Sequence, residues 1–343
     1  MDSVRPDKKL KVWRVLEDKR IGMEKGKRKI AIGSRDSVLA MEQTKLLEDY
    51  IRENCPGICA EVLAMKTTGD RILEKRLEEI GGKGLFVKEL DRALLENRTQ
   101  LSVHSLKDMP METDEELPIL GFSRREDPRD VLVLPEGSRA LNKALPVGTS
   151  SLRRELQFKR LYPEMEVKMV RGNLISRLKK LERGEYGGLL LAAAGLKRIG
   201  LTHRIFRYFS CEEMLPAAGQ GILAVQGRKD LDYDFLEGFF DEDARDAALA
   251  ERSFVRGLGG SCFSPTAAYA VCEGEKLTLT GLYYPGGNRD GDSGLRREAR
   301  GPACEIPPDA KWGESVLDTV CGDRTEAEKL GRALAERMLG SGG

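Results

Sequence analysis

The chain has 343 residues, of which 57 are Lys or Arg and 56 are Asp or Glu, so its formal net charge is +1. This length exceeds one typical hydrophobic core and fits two or three domains. The balanced charge argues against a non-specific nucleic-acid binder, which usually carries a strongly basic domain. With 40% hydrophobic and 33% charged residues, the chain is expected to be soluble and globular.

Cysteine and histidine usage limits the chemistry that the chain can support. There are seven cysteines and two histidines. No C-x-x-C pair occurs, so a structural zinc site is not expected and we predict no metal. Reduced thiols in the cytoplasm are the simplest interpretation of the cysteines. The longest apolar run, GLLLAAAGL at 188–196, is far shorter than the roughly 20 residues that span a bilayer, so no membrane partner is predicted.

Apolar strands and amphipathic helices alternate along most of the chain. The first 28 residues mix acidic and basic side chains without an apolar core, which predicts an extension and not a signal peptide. The strands predicted after it are 29–33, 60–65, 100–105, 131–134, 145–149, 167–170 and 189–193. The predicted helices are 37–53, 85–97, 152–161, 174–183 and 242–257. This alternation is typical of an α/β fold with mixed, largely parallel sheets.

Turn-rich joints at 123–130 and 214–221 divide this α/β region into two lobes. After residue 241 the pattern changes to a helix, a glycine-rich loop, two apolar strands and a last helix at 324–339. A Gly-, Asp- and Pro-rich stretch at 285–310 is predicted to be a surface loop. The predicted units are the extension at 1–28, domain 1 at 29–122 with 220–237, domain 2 at 127–214, and a smaller α+β domain 3 at 242–343.

Arginines stand in the first turns of predicted helices, where the helix dipole makes a cation unfavourable by roughly 0.3–1 kcal/mol. Arg153 and Arg154 follow the strand end in GTSSLRREL, and Arg177 follows the predicted cap Asn173. A bound anion would reverse this penalty, because N–H groups and guanidinium groups would converge on it. Comparable junctions carry Arg35 with Ser37, Arg171, and Lys197 with Arg198. Since such junctions line the crevice of open α/β sheets, we predict a ligand with several carboxylates or phosphates.

Two further stretches have both a structural and a functional interpretation. GGKGLFVKEL, with Lys83, lacks P-loop spacing and is either a mobile loop before a helix or a lid. VHSLKDMP ends a strand with Lys107 and Asp108. Asp108 is either an ordinary turn residue or an acid that faces the arginine-lined cleft, where it could transfer a proton or stabilise a cation.

The stretch LGGSCFSPTA places Cys262 in a loop of Gly, Ser and Pro. From the residues alone, this thiol could be a nucleophile, a metal ligand, half of a disulfide or an attachment point, or it could have no particular role. PAAGQG at 216–221 is predicted to be a hinge, because its glycines permit unusual backbone dihedrals.

Ten segments of the chain together resemble the hydroxymethylbilane synthases, also called porphobilinogen deaminases. In chain order they are SRDSVLA, KTTGDRIL, GGKGLFVKEL, VHSLKDMP, REDPRD, GTSSLRR, VRGN, AAGLKRIGL, LPAAGQG and the glycine-flanked Cys262. They cover roughly residues 29–275. The resemblance implies three domains, the first two like the lobes of periplasmic binding proteins. It also implies the head-to-tail condensation of four porphobilinogens into hydroxymethylbilane, with release of ammonia, in tetrapyrrole (heme) biosynthesis.

The resemblance also implies roles for individual residues. Cys262 would hold a dipyrromethane cofactor through a thioether, and Asp108 would be the catalytic acid. The implied cofactor contacts are Ser105, Lys107, Ser151, Arg153, Arg154 and Arg171. The implied substrate contacts are Arg35, Ser37, Gln43, Lys83, Arg177, Arg198 and Gln220. A monomer is implied as well.

Two alternatives come from other functional classes. A non-catalytic, two-lobed carboxylate-binding or regulatory protein would share the fold and the arginines, but would need neither Asp108 nor Cys262. A cysteine-dependent hydrolase would need a histidine base, for which only His104 and His203 are present.

Overall fold

The computed structural model describes residues 28–71, 87–260, 265–284 and 315–340. The helices are α1 Val38–Asn54, α2 Thr68–Arg71, α3 Lys88–Leu95, α4 Leu152–Leu161, α5 Leu174–Glu182, α6 Ala193–Arg198, α7 Glu242–Gly257 and α8 Ala327–Gly340. The strands are β1 Arg28–Arg35, β2 Ile58–Met65, β3 Leu101–Ser105, β4 Ile119–Phe122, β5 Asp130–Val133, β6 Val147–Gly148, β7 Val167–Lys168, β8 Gly188–Ala192, β9 Ile205–Tyr208, β10 Leu223–Gly227, β11 Ala267–Glu273, β12 Lys276–Tyr283 and β13 Val316–Asp323.

Two five-stranded sheets share one arrangement. The first has the order β2-β1-β3-β10-β4, and the second has the order β7-β6-β8-β5-β9. In each sheet the first three strands are parallel, while the fourth (β10 or β5) runs antiparallel to both of its neighbours. Four strands of each sheet therefore run in one direction. The predicted class, mixed and largely parallel α/β sheets, is confirmed.

The chain passes between these sheets twice. The first crossover, residues 123–129, joins β4 to β5, and the second crossover, residues 209–222, joins β9 to β10. The second crossover returns the chain to the first sheet, where β10 lies between β3 and β4. Its glycines 219 and 221 have φ angles of 73° and 92°, as expected for a turn that only glycine adopts easily.

A third sheet, of order β11-β12-β13, is antiparallel throughout and packs against α7 and α8. This is the small α+β unit that the sequence predicted. Strands β4, β9, β10 and β13 were not predicted, whereas all the predicted strands are present. The predicted helix 85–97 begins outside the described residues and is seen from Lys88 onwards.

Each sheet has its own buried apolar cluster. Ile32 and Leu101 of the first sheet pack against Leu47 and Ile51 of α1. Two clusters cover the two faces of the second sheet, and a fourth fills the space between the third sheet and α7 and α8. No helix within the described ranges has the length and apolar character of a membrane span.

Candidate active site

A cavity of about 570 Å³ lies between the two five-stranded sheets, within the size range of small-molecule sites. Three helices, α1, α4 and α5, begin at its edge. Each first turn is closed by the residue before the helix, since Ser37, Ser151 and Asn173 accept a hydrogen bond from the amide three positions later. The strand–helix junctions that the sequence singled out therefore meet in one place.

The described residues lining the cavity carry a large excess of positive charge. They include two aspartates, Asp36 and Asp108. The lining cations are Arg35, Lys66, Lys107, Arg153, Arg154, Arg171, Arg177 and Arg198. Sequence reasoning missed Lys66, although it is the first residue of the KTTGDRIL segment. Eight cations against two carboxylates make this a site for a ligand with several negative charges.

Every predicted site residue that the structure describes lines this cavity. They are Arg35, Ser37, Gln43, Ser105, Lys107, Asp108, Ser151, Arg153, Arg154, Arg171, Arg177, Arg198 and Gln220. Lys83 and Cys262 lie outside the described residues. The binding roles of all these residues stay predictions.

A buried carboxylate that the sequence analysis missed holds two of the arginines. Asp130, the first residue of β5, has no exposed surface. Its Oδ2 accepts from Arg153 Nη1 at 2.7 Å and its Oδ1 from Arg154 Nε at 2.8 Å. Burial alone would raise the pKa of Asp130, but these two charges outweigh it and hold that pKa well below its usual range. From the sequence, the negative charge at these helix ends was predicted to come from a ligand alone. The structure shows that Asp130 of the protein supplies one of these negative charges.

Gln220 joins this ion pair to the segment that carries Asp108. Its Nε2 donates to Asp130 Oδ1 at 2.9 Å and to the Pro128 carbonyl at 2.6 Å. Its Oε1 accepts from Lys107 Nζ at 3.2 Å and from Arg154 Nη2 at 3.3 Å. A single buried amide on the second crossover thus contacts the turn that follows β3, strand β5, helix α4 and the first crossover.

Burial lowers the pKa of three lining cations, and for two of them the charge of neighbouring cations adds to the effect. Burial lowers the pKa of Lys107 to about 8, and the nearby charge of Arg154 acts in the same direction. Burial lowers the pKa of Arg177 to about 10, with Arg154 and Arg171 adding to the effect. The pKa of Arg198 also falls to about 10, because that side chain is buried. A bound polycarboxylate would relieve this repulsion, which is a driving force for binding.

One buried donor fits such a ligand. The Nε atom of Arg153 is buried and has no hydrogen-bond partner among the described residues, although its Nη1 is bound to Asp130 and to the Leu215 carbonyl at 2.6 Å. A buried donor of this kind is costly unless it is paired. A carboxylate in the cavity would satisfy it, so the donor set fits a ligand that carries acetate and propionate groups.

Asp108 is exposed at the end of the 3₁₀ turn Leu106–Asp108, which directly follows β3. The residues on either side of the Lys107–Asp108 pair, Leu106 and Met109, are buried and anchor the turn. Ser105 also faces the cavity and exchanges hydrogen bonds with the buried Gln43 of α1, at 2.8 and 3.2 Å. The arrangement holds a carboxylate in solvent beside a group of fixed cations.

Some of the residues weighed in the sequence analysis lie away from the cavity. Lys197 pairs with Glu126 of the first crossover and does not line the cavity. Neither His104 nor His203 lines the cavity, and burial lowers the pKa of His104 to about 4. No group of His, Cys, Asp or Glu within the described residues could hold a metal ion.

Comparisons with known proteins show which family the chain is similar to. The family described as "Porphobilinogen deaminase, dipyromethane cofactor binding domain" matches residues 30–234, and its C-terminal domain matches residues 246–307. A porphobilinogen deaminase of Ruminiclostridium josui is 53% identical over 92% of this chain and 99% of its own length. One of Acetivibrio thermocellus is 49% identical over 91% of this chain and 98% of its own length.

Among solved structures, the aliphatic sulphonate binding protein SsuA of Escherichia coli is similar at 11% identity, with a TM-score of 0.35 over 67% of this chain and 69% of that chain. The matched residues 30–234 contain both five-stranded sheets and the cavity between them. The sequence identities, the matched domains and a cationic cavity suited to a polycarboxylate all agree with the predicted family. The chain belongs to the porphobilinogen deaminase family.

Proposed function

We propose that the chain condenses four porphobilinogens head to tail into hydroxymethylbilane in this cavity, with release of ammonia at each step. The observation that carries the proposal is the cationic cavity, which is lined by eight cations and by an exposed Asp108. Porphobilinogen carries an acetate and a propionate, so a growing chain of pyrroles is a polycarboxylate. The non-catalytic alternative is not favoured, because relatives about half identical over nine-tenths of the chain are named as the enzyme.

The cations are proposed to hold the carboxylates of cofactor and substrate. The dipyrromethane cofactor would be bound by Ser105, Lys107, Ser151, Arg153, Arg154 and Arg171. The incoming substrate would be bound by Arg35, Ser37, Gln43, Lys83, Arg177, Arg198 and Gln220. When bound, the cofactor supplies the tethered pyrrole end to which new units are added. Charge-assisted hydrogen bonds from paired guanidinium groups suit this task, because they fix both the position and the orientation of a carboxylate.

Asp108 is proposed to carry the proton chemistry. As a carboxylic acid it would give a proton to the departing amine of the substrate. As a carboxylate it would then stabilise the positive charge left on the methylene carbon and its pyrrole ring. Its exposure and the excess of nearby cations support a carboxylate that is accessible to substrate. Lys107 beside it, bonded to Gln220 at 3.2 Å, keeps the turn in place.

Cys262 is proposed to be the tether of the cofactor. Thr266, four residues later in the chain, is buried and lines the cavity, which supports a loop that reaches the site. The three sheets are proposed to be the three predicted domains, because each has an apolar cluster of its own. We also propose that the protein acts as a monomer in the cytoplasm.

Intact-protein mass under denaturing conditions tests the tether. After incubation with porphobilinogen, the wild type should gain the mass of two linked pyrrole units on the peptide containing Cys262. Cys262→Ser should gain nothing, and Cys272→Ser, which changes a thiol on β11, should gain the same mass as the wild type. An unmodified wild-type protein would contradict the tether.

Substitution of Asp108 tests the acid. Asp108→Asn should keep the fold and the cofactor, but lose nearly all turnover. Asp114→Asn, a change at an exposed acid outside the cavity lining, is the matched control and should turn over normally. Near-normal rates for Asp108→Asn would remove Asp108 from the mechanism.

A further inference from the structure

One helix contacts the turn that carries Asp108 and also leads to the cysteine loop. Helix α7 ends at Gly257, and Cys262 follows five residues later in the chain. On the same helix, Ala244 and Ala248 are buried in one apolar cluster with Leu106 and Met109, which flank Lys107 and Asp108. Because alanine side chains are small, the turn can lie close to the helix backbone.

Arg252 continues this line of residues. Positions 244, 248 and 252 are each four residues apart, so they lie on one face of the helix. The side chain of Arg252 is 8% exposed, and its Nη2 donates to the carbonyl of Pro110 at 2.6 Å and to that of Met111 at 2.9 Å. Pro110 is two residues after Asp108. One guanidinium nitrogen therefore fixes the backbone where the chain leaves the turn.

Glu251, next to Arg252, secures the helix itself. Its Oε2 accepts from the Gly219 amide at 2.6 Å, and its Oε1 accepts from the Ala270 amide at 2.8 Å and from Arg125 Nη2 at 2.6 Å. These partners belong to the second crossover, the third sheet and the first crossover. Helix α7, which carries Arg252, is thus held by three other parts of the chain. A shift of the helix would break these buried polar contacts.

We propose that Arg252 is a positioning residue, which locks the Asp108 turn to α7 and so fixes the place of the acid at the edge of the cavity. This inference rests on the proposed function, since it needs Asp108 as the acid. The position of the acid matters because a misplacement of about 1 Å at a reacting centre can reduce the rate about 100-fold. Arg252 does not line the cavity, so its effect acts through Asp108 and not through substrate binding.

The test is steady-state kinetics on cofactor-loaded Arg252→Met, with rates expressed per loaded site by intact mass. The expected result is a kcat lowered about 10–100-fold with KM changed less than twofold. Arg252→Lys keeps a donor that can reach a carbonyl, and should recover kcat to within about threefold of the wild type. A merely structural role would lower the yield of loaded protein and leave kcat per site unchanged, and that result would overturn the proposal.

Arg324→Met is the matched control. Arg324 anchors the same helix by ion pairs to Asp243 at 2.6 Å and Asp246 at 2.7 Å, on the side away from the turn. It should lower thermal stability and leave kcat per loaded site unchanged. An equal fall in kcat for Arg324→Met would overturn the specific role of Arg252.

Asp108→Asn, assayed in parallel, separates two kinds of failure. If Asp108→Asn abolishes turnover while Arg252→Met does not lower kcat, the positioning role alone fails. If Asp108→Asn turns over normally, the proposed role of the acid fails, and the positioning role fails with it.

Discussion

Asp130→Asn should destabilise the protein by about 3–5 kcal/mol near pH 7, because it breaks a buried ion-pair network on one side only. Asp130 is fully buried and accepts from Arg153, Arg154 and Gln220 at 2.7, 2.8 and 2.9 Å. Asparagine has nearly the same shape, but it replaces one acceptor oxygen by an NH₂ donor that faces other donors. Two buried guanidinium groups then lose their internal counter-charge.

The effect should also depend on pH, in a direction that the structure fixes. The pKa of Asp130 in the folded protein is held well below the value of about 3.9 for an unfolded chain. Its stabilising contribution is therefore fully present above pH ~4 and is lost as pH falls towards the folded-state pKa. The difference in stability between wild type and variant should shrink on acidification below pH ~4.

The assay is urea unfolding of both proteins at several pH values, with Asp127→Asn as the control. Asp127 lies on the first crossover and pairs with Arg129; the side chain of Asp127 is 11% exposed and that of Arg129 is 43% exposed. The guanidinium of Arg129 can still be hydrated in the variant, and ion pairs open to solvent contribute about 1 kcal/mol or less, so the control should lose far less stability. The reasoning is refuted if Asp130→Asn costs no more than Asp127→Asn, or if its cost is the same at pH 7 and pH 3.

Three other outcomes are expected. Gly221→Ala should lower the melting temperature more than Gly200→Ala. Both residues have a positive φ, which an alanine adopts with strain. A Cβ at Gly221 would also lie 2.2 Å from a carbonyl oxygen, whereas a Cβ at Gly200 would have nothing within 4 Å. The pKa of Lys107 is about 8 in the folded protein and ~10.4 in the unfolded chain, so between these pH values the folded protein binds fewer protons. The stability of the wild type relative to Lys107→Met should therefore rise from pH 8 to pH 10. Removal of residues 1–27, which precede β1 at Arg28, should leave the specific activity unchanged in a porphobilinogen assay.

Much of the site could be predicted because its residues lie at the ends of predicted strands. Arg35, Ser105 and Arg171 each come at or just after a strand end, and an open α/β sheet brings such ends to one edge. The caps at Ser37, Ser151 and Asn173 were similarly local, since each depends on a side chain and an amide three residues apart. Local patterns of this kind need no knowledge of which strands are neighbours.

The pairing of strands that are far apart in the sequence could not be predicted. Strand β10 joins the first sheet more than one hundred residues after β3, and nothing local in LAVQG indicates a partner so far away in sequence. Strand β5 is inserted antiparallel beside β8 in the same way. That insertion brings Asp130 to α4, although in the segment REDPRD it looks like a turn residue.

An arginine in the first turn of a helix therefore indicates a nearby anion. It does not indicate whether that anion is a ligand or an acidic side chain of the protein. For Arg153 and Arg154 one negative charge comes from Asp130 of the same chain, so the trio keeps one net positive charge. It also keeps one buried donor that has no partner in the part of the chain that the structure describes. The same carboxylate holds both guanidinium groups in place before any ligand arrives, which lowers the ordering cost of binding. Asp130 thus weakens the attraction of the cavity for polyanions in general. It also fixes the positions of the two guanidinium groups, so a carboxylate must bind in a defined orientation.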